Sequence, residues 1–330
     1  PLPDPIFLVY LRLLLSKRDM AKDIVHPKVM PPLSDALSAL MEGRWQRFLE
    51  QAGADRIAAL DEPQRASTKK ILGFSPFVAE QCTRRPDLLF DLMASGRLLR
   101  APKEGECRAL LSSALEGATD ETSLMAALRS FRNQEMVRIA WRDIMNGASL
   151  EETLSDLTNL AEEIVSQTLE QLFTFAVERF GTPLNERGEP QNLIVLGMGK
   201  LGAFELNFSS DIDLIFAFRR NGSLDDRKET SYGEFYTRLA QRLVKVLDAP
   251  TEDGFVFRVD TRLRPFGDSG PLVMSFEALE AYYQSQAREW ERYAMVKART
   301  IAGDLQGGRD LEAFLKPFVY RRYLDFRALG

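Results

Sequence analysis

A single histidine, His26, serves the whole 330-residue chain. That scarcity excludes entire classes of chemistry. No Ser-His-Asp triad can draw its base from the body of the chain, and no His-rich zinc site can be built. His26 stands before Pro27 in an irregular stretch and reads as a bystander. Cysteine is almost as scarce. Cys82 and Cys107 lie in helix-like segments without metal-ligand spacing, which suits reduced thiols of a cytoplasmic protein. There is no excess of positive charge: 43 Lys+Arg stand against 48 Asp+Glu, for a net charge of −5. No global basic field is available to hold nucleic acid non-specifically, although a local patch is not excluded. No apolar run is long enough to span a bilayer. The most apolar window near the start, Ile6 to Leu15, is too short, is interrupted by Arg12 and lacks a clear signal-peptide cleavage site, so it reads as a short buried helix.

What remains is an ordinary globular composition, 45% hydrophobic and 28% charged, with length enough for two or three domains. The chain opens on Pro1 rather than Met, as a fragment would. Its first half reads as helices. Leu37, Leu40, Met41, Phe48 and Leu49 fall on one helical face. Ser75 with Pro76 opens another helix, which Pro86 closes. A long amphipathic pattern from about Glu121 to Asn146 stops at Gly147. Ser149 and Glu152 have capping-box spacing before a helix that runs to Gly181 and Pro183. The turn-rich stretch Asn185 to Pro190 is the best domain boundary.

After it the pattern changes. "NLIVLG" and "DIDLIFAF" are short apolar runs of the kind that form buried strands. Ser231 and Glu234 open a helix that Pro250 ends. Phe255 to Asp260 reads as a third strand and "GPLVMS" as a fourth, with helix again from Ser275 to about Arg299. The fold class is therefore α+β. Residues 1–184 form a mainly helical N-terminal region, 185–300 hold a small mixed sheet, and 301–330 start a C-terminal helical region that is truncated.

Asp211 and Asp213 sit inside one of those apolar runs. Side chains at i and i+2 of a strand share a face. Burying two like charges side by side is costly unless something neutralises them, and a divalent cation is the natural candidate. Mg²⁺ is commonly held by one or two carboxylates, waters and substrate phosphate oxygens. A lone Asp-x-Asp also arises at solvated strand edges. Asp260, which ends a separate apolar run, shifts the balance: three carboxylates from neighbouring strands suit a two-metal centre for phosphoryl or nucleotidyl transfer.

Gly197, Gly199 and Gly202 permit a tight turn whose backbone N–H groups could approach phosphate. Their spacing is neither a Rossmann fingerprint nor a Walker A loop, and such a turn is also an ordinary strand-to-helix connection. Ser209 and Ser210 either donate to a phosphate oxygen or cap the turn. Lys200 either reaches a phosphate or is solvated. Arg262 and Arg264, alternating after Asp260, either grip anionic oxygens or pair with Asp211 and Asp213. Lys297 and Arg299 either add positive charge to the site or suit the negative end of a helix.

A glycine turn, Asp-x-Asp about a dozen residues on, and a later strand aspartate resemble the signature of the polymerase β-like nucleotidyltransferase superfamily. "GMGKLGAFELNFSSDIDLIF" together with "VDTRLRPFGDSGPLVMSFEALEAYYQSQAREWERYAMVKAR" is similar to the bifunctional glutamine synthetase adenylyltransferase/adenylyl-removing enzymes. "FSPFVAEQ" and "SFRNQEMVRIAWRD" resemble that family's helical region. "LRPFGDSGPLV" and "FSSDIDLIF" look more like its amino-terminal, adenylyl-removing unit. The resemblance implies a polymerase β-like catalytic domain over 185–300. It implies Asp211, Asp213 and Asp260 as catalytic and metal carboxylates, and Gly197, Gly199, Lys200, Gly202, Ser209 and Ser210 as the nucleotide-phosphate region. Arg262 and Arg264 would lie on the attacking phosphate or the α-phosphate. Two Mg²⁺ ions are expected, with Mn²⁺ as the alternative. ADP or ATP and inorganic phosphate would be substrates or products, glutamine synthetase the protein substrate, and the PII signalling protein a regulator; neither nucleic acid nor membrane is expected as a partner. The implied reaction is phosphorolysis of AMP-tyrosine. ATP-dependent adenylylation and a catalytically silent regulatory module are the rival readings. Ala203-Phe204 departs from the smaller or polar pair expected beside the turn.

Overall fold

The computed structural model describes residues 35–320. The expectations for His26, for the Ile6 to Leu15 window and for residues past 320 fall outside the described residues. The chain divides into two compact units between Leu98 and Leu99.

The first unit holds α1 (Asp35–Ala52), α2 (Ala54–Ala59), α3 (Glu62–Phe74), α4 (Pro76–Arg84) and α5 (Pro86–Ala94). Proline in the first turn starts each of the last three, where its missing N–H would be unpaired anyway. Ser75 Oγ accepts from Val78 N at 3.2 Å, so the expected cap forms. Pro86 closes α4 and also opens α5. Phe48, Ile71, Leu72, Val78, Cys82 and Leu89 are fully buried and form the core. Of the face expected on α1, Leu40 is exposed. Burial pushes the Cys82 thiol up to about 12, so it is inert.

The second unit begins with α6 (Glu106–Leu115), α7 (Glu121–Ile144) and α8 (Leu150–Phe180). It continues through β1 (Ile194–Gly197), the one-turn α9 (Gly199–Gly202), β2 (Ile212–Phe218), α10 (Tyr232–Asp248), β3 (Val259–Asp260) and β4 (Val273–Ser275). It ends with α11 (Phe276–Ser285), α12 (Glu289–Met295), β5 (Arg299–Gly303) and α13 (Leu305–Val319). Ser149 and Ser231 cap α8 and α10 through the backbone N–H groups of Glu152 and Glu234, each at 3.1 Å. Glu152 does not complete a capping box, because its carboxylate is held by Arg142 at 2.5 Å.

The sheet is mixed, with the order β3-β2-β1-β5. β2 runs antiparallel to β1, parallel to β3 at its start and parallel to β4 at its end. β1 and β2 read as near-continuous apolar runs because both sheet faces are covered. Ile194, Leu196, Ile215 and Ala217 pack on Tyr282, Tyr283, Met295 and Leu311. On the other face, Phe218 lies 5.0 Å from Tyr236 of α10, centroid to centroid.

Two expectations are corrected. Only Val259–Asp260 of the stretch from Phe255 pairs as a strand. Val256 N and Phe257 N instead donate to Leu247 O at the end of α10, at 2.9 and 3.2 Å, which takes them out of any ladder. The helix expected from Ser275 to Arg299 breaks into α11 and α12, and Arg299–Gly303 forms β5 on the free edge of β1. An uncovered strand edge draws a partner, and β-branched Thr300 and Ile301 suit the role.

Candidate active site

The site begins where β1 ends. Gly197 closes β1, and α9 follows after Met198. Met198 N donates to Asp213 O at 2.9 Å, which lashes this corner to β2. Gly199 adopts a φ of +55°, and a Cβ there would lie 2.8 Å from Asp213 Oδ2. A side chain at 199 would therefore meet both backbone strain and a carboxylate. Gly202 is required for another reason: a Cβ would stand 1.8 Å from Lys297 O.

Asp213 lies on β2 in register with Asp260 on β3. Cross-strand register partners project to the same side of a sheet and are spaced about 4.8 Å along the ladder. Asp211 precedes the strand and is half-exposed. Burial, then the charges of Asp260 and Asp211, push the Asp213 carboxyl above the usual carboxylate range, while Arg262 and Lys200 pull the other way. Asp260 is held below that range chiefly by its hydrogen bonds from Arg262. The three acids thus occupy one electrostatic neighbourhood.

The cations divide unequally. Arg262 grips both oxygens of Asp260, with Nε 2.9 Å and Nη2 2.5 Å from Oδ2 and Nε 3.1 Å from Oδ1. Arg262 is 70% exposed, so the pair is reachable from solvent. Arg264 does not continue a strand, since β3 ends at Asp260. It is buried, donates to Thr261 O at 2.8 Å and to Thr261 Oγ1 at 2.9 Å, and braces the turn that leads to Phe266. Its charge still reaches Asp260. Lys200 Nζ donates to Ser210 Oγ at 3.2 Å, and Ser210 Oγ donates to Asn207 Oδ1 at 2.7 Å. Ser209 N also donates to Asn207 Oδ1, at 3.3 Å. The serines therefore cap the 207–210 turn. Lys297 turns away to Glu205 at 2.7 Å. Arg299 pairs with Glu162, donates to Leu201 O and Gly202 O at 3.2 Å each, and lies 3.7 Å over the ring of Phe204. Phe204, whose φ is +58°, caps α9 under that guanidinium.

The donor chemistry fits a hard divalent cation: three carboxylates at a strand end, one of them without a hydrogen-bond donor on its oxygens among the described residues. Among the described residues, no three His, Cys, Asp or Glu side chains stand grouped as ready metal ligands. Two of the three carboxylates are turned to guanidinium groups, Asp211 to Arg258 and Asp260 to Arg262. Both guanidinium groups are more than half exposed, so solvent screens these pairs and a divalent cation can compete for the carboxylates.

The comparisons bear on the same residues. The family model for glutamate-ammonia ligase adenylyltransferase matches residues 66–313. The chain belongs to this family. It is 51% identical over 281 residues to the bifunctional glutamine synthetase adenylyltransferase/adenylyl-removing enzyme of Thioalkalivibrio sulfidiphilus, a match over 85% of this chain and 29% of that one. The enzyme of the same description from Nitrosococcus oceani is 50% identical over 306 residues, 89% of this chain and 31% of its own. That from Methylococcus capsulatus is 57% identical over 211 residues, 64% of this chain and 22% of its own. The chain thus spans under a third of the length of these curated relatives. Among the described residues, no helix is long and apolar enough to cross a membrane.

The family match encloses every residue of the acid cluster, and two that the sequence reading passed over. Arg258 pairs with Asp211 at 2.5 Å and donates to Ser209 O at 2.7 Å. Its signal was present: Arg258 stands two residues before Asp260, the spacing that gives strand neighbours a common face. Arg129 is buried in α7 and donates to Gly254 O at 2.9 Å and Val246 O at 3.2 Å. It fixes the turn that delivers β3, and nothing in the α7 sequence marks it out among its neighbouring arginines.

Proposed function

We propose that this chain is the adenylyl-removing unit of its family, taking AMP from an adenylylated tyrosine of glutamine synthetase by phosphorolysis. The observation that carries the reading is the register of Asp213 opposite Asp260, with Asp211 two residues upstream and Gly199 closing against Asp213. Residues 185–300 are the catalytic domain in this reading. Asp211, Asp213 and Asp260 would hold the cations, two Mg²⁺ or Mn²⁺. Bound there, a divalent cation supplies positive charge to the phosphoryl oxygens and to the departing phenolate.

The chain's own groups bind and orient. The backbone of Gly197–Gly202 with Lys200, and the turn carrying Ser209 and Ser210, face the nucleotide phosphate. Arg262 meets the attacking phosphate, and Arg264 holds the loop that presents it. A phosphate oxygen forms a bond to the phosphorus of AMP while the phosphorus–tyrosine oxygen bond breaks, giving ADP and a tyrosinate that takes a proton from solvent. The phenol's pKa of about 10 makes it a tolerable leaving group, so no histidine acid is needed. Positioning and charge then carry the catalysis. The sequence resemblance to the amino-terminal unit favours removal over addition, and it also implies regulation by the PII signalling protein.

The test supplies adenylylated glutamine synthetase, Mg²⁺ and inorganic phosphate. Wild type is expected to release ADP, and Asp213→Asn to lose at least about 10²-fold in turnover while remaining folded, as expected for a group that stabilises transition-state charge. Pyrophosphate released from ATP, with no ADP formed from the modified enzyme, would assign ATP-dependent adenylylation instead.

A further inference from the structure

Arg258 has no role in the reading above, yet it holds one of the three acids. Its guanidinium reaches Asp211 Oδ1 at 2.5 Å and Ser209 O at 2.7 Å, and it lies 5.8 Å from the centre of the Phe255 ring. Arg262 does the same for Asp260 on the other strand. Asp213, between them, has neither. The pattern is specific: each outer acid has one arginine, and both arginines are more than half exposed, at 52% and 70%. They stand on one segment, at 258 and 262, two residues to either side of Asp260. A buried structural pair would be shut away from solvent. These are open to solvent, from which a phosphate could reach them.

We propose that Arg258 and Arg262 are exchangeable counter-ions of the acid cluster. In the cation-free protein they neutralise Asp211 and Asp260. When divalent cations take those carboxylates, the two guanidinium groups are released to the phosphate oxygens of the nucleotide and the attacking phosphate. This rests on the metal assignment of the three aspartates and deepens it. Two arginines and two divalent cations bring more positive charge than three carboxylates carry, so guanidinium groups displaced by cations would find new anionic partners in phosphate oxygens, which suit their planar, multiply donating fork. Cation and phosphate binding then favour each other, because each removes the other's competitor or supplies its partner. Arg258 is thereby a positioning and phosphate-binding residue in one.

The experiment measures two affinities by calorimetry in wild type, Arg258→Ala and Arg258→Gln, with circular dichroism and thermal melts as fold controls. The probes are Mn²⁺ alone, and ADP at saturating Mn²⁺. Exchange predicts opposite signs: Mn²⁺ binds about fivefold tighter in both variants, since an exposed ion pair no longer competes, while ADP binds about tenfold weaker. Any of four results would overturn it. If Mn²⁺ affinity falls along with ADP affinity, Arg258 merely shapes the 209–211 turn. If neither affinity moves, the pair is an inconsequential surface contact. Failure of wild type to bind Mn²⁺ at all would remove the metal assignment itself and the exchange with it. Tight Mn²⁺ binding in wild type that is unchanged in the variants would remove the exchange alone. Should the alanine variant fail to fold, the glutamine variant carries the same test, since it keeps a donor for Ser209 O but loses the charge.

Discussion

Two of the acid and arginine clusters in the second unit make a useful contrast, because they differ in access to water. Between α7 and α8, Arg138 bonds Glu135 at 2.8 Å and Asp156 at 2.9 Å, with side chains 5%, 1% and 10% exposed. At the sheet edge, Arg258 pairs with Asp211 and both are about half exposed. The first cluster is locked. Removing a partner would strand a charge where water cannot reach it, so the cluster serves the fold. The second is loose enough to trade partners, so it can serve chemistry. Asp213 is the hinge of this contrast, being neither locked to an arginine nor free in solvent. The lesson is that an ion pair's role is decided by solvent access more than by its chemistry.

The contrast breaks most sharply at Arg138. Arg138→Ala should destabilise by about 3–5 kcal/mol, because Glu135 and Asp156 are left buried without a counter-charge. Chemical denaturation would show it, and a loss under about 1 kcal/mol would mean that the helix pair tolerates the vacancy. Gly199→Ala tests the corner between the two classes. It adds a Cβ 2.8 Å from Asp213 Oδ2 at a φ of +55°, and should cost about 1–3 kcal/mol of stability. Turnover should fall by more than that loss explains, because Asp213 is displaced; denaturation and ADP release measured on the same sample separate the two effects. The gentlest change is Arg258→Ala. Its effect on stability should stay within about 0–1 kcal/mol, the range for exposed ion pairs, even as ligand affinities change. A melting shift as large as that of Arg138→Ala would erase the distinction drawn here.

Much of this was legible before any coordinates. Ser75, Ser149 and Ser231 announced helix starts because a cap is a local interaction, decided within four residues. Asp211, Asp213 and Asp260 stood out because carboxylates in apolar runs conflict with local preference. What stayed hidden was non-local. Val256 and Phe257 look like strand, yet a carbonyl at the end of α10 claims their N–H groups. Arg299–Gly303 looked like a helix end, because only the free edge of β1 makes it a strand. The arginine partners were ambiguous for the same cause: Arg262 chose Asp260 rather than Asp211 or Asp213, and Arg264 turned into its own loop, since β3 stops before either can alternate along it.

The most direct test is a crystal structure of the protein grown with Mn²⁺ and ADP, read by anomalous scattering. The account predicts manganese peaks bridged by the carboxylates of Asp211, Asp213 and Asp260, with Arg258 moved off Asp211 and onto a phosphate oxygen. Manganese bound elsewhere, or an Asp213 carboxylate with no ion beside it, would contradict it.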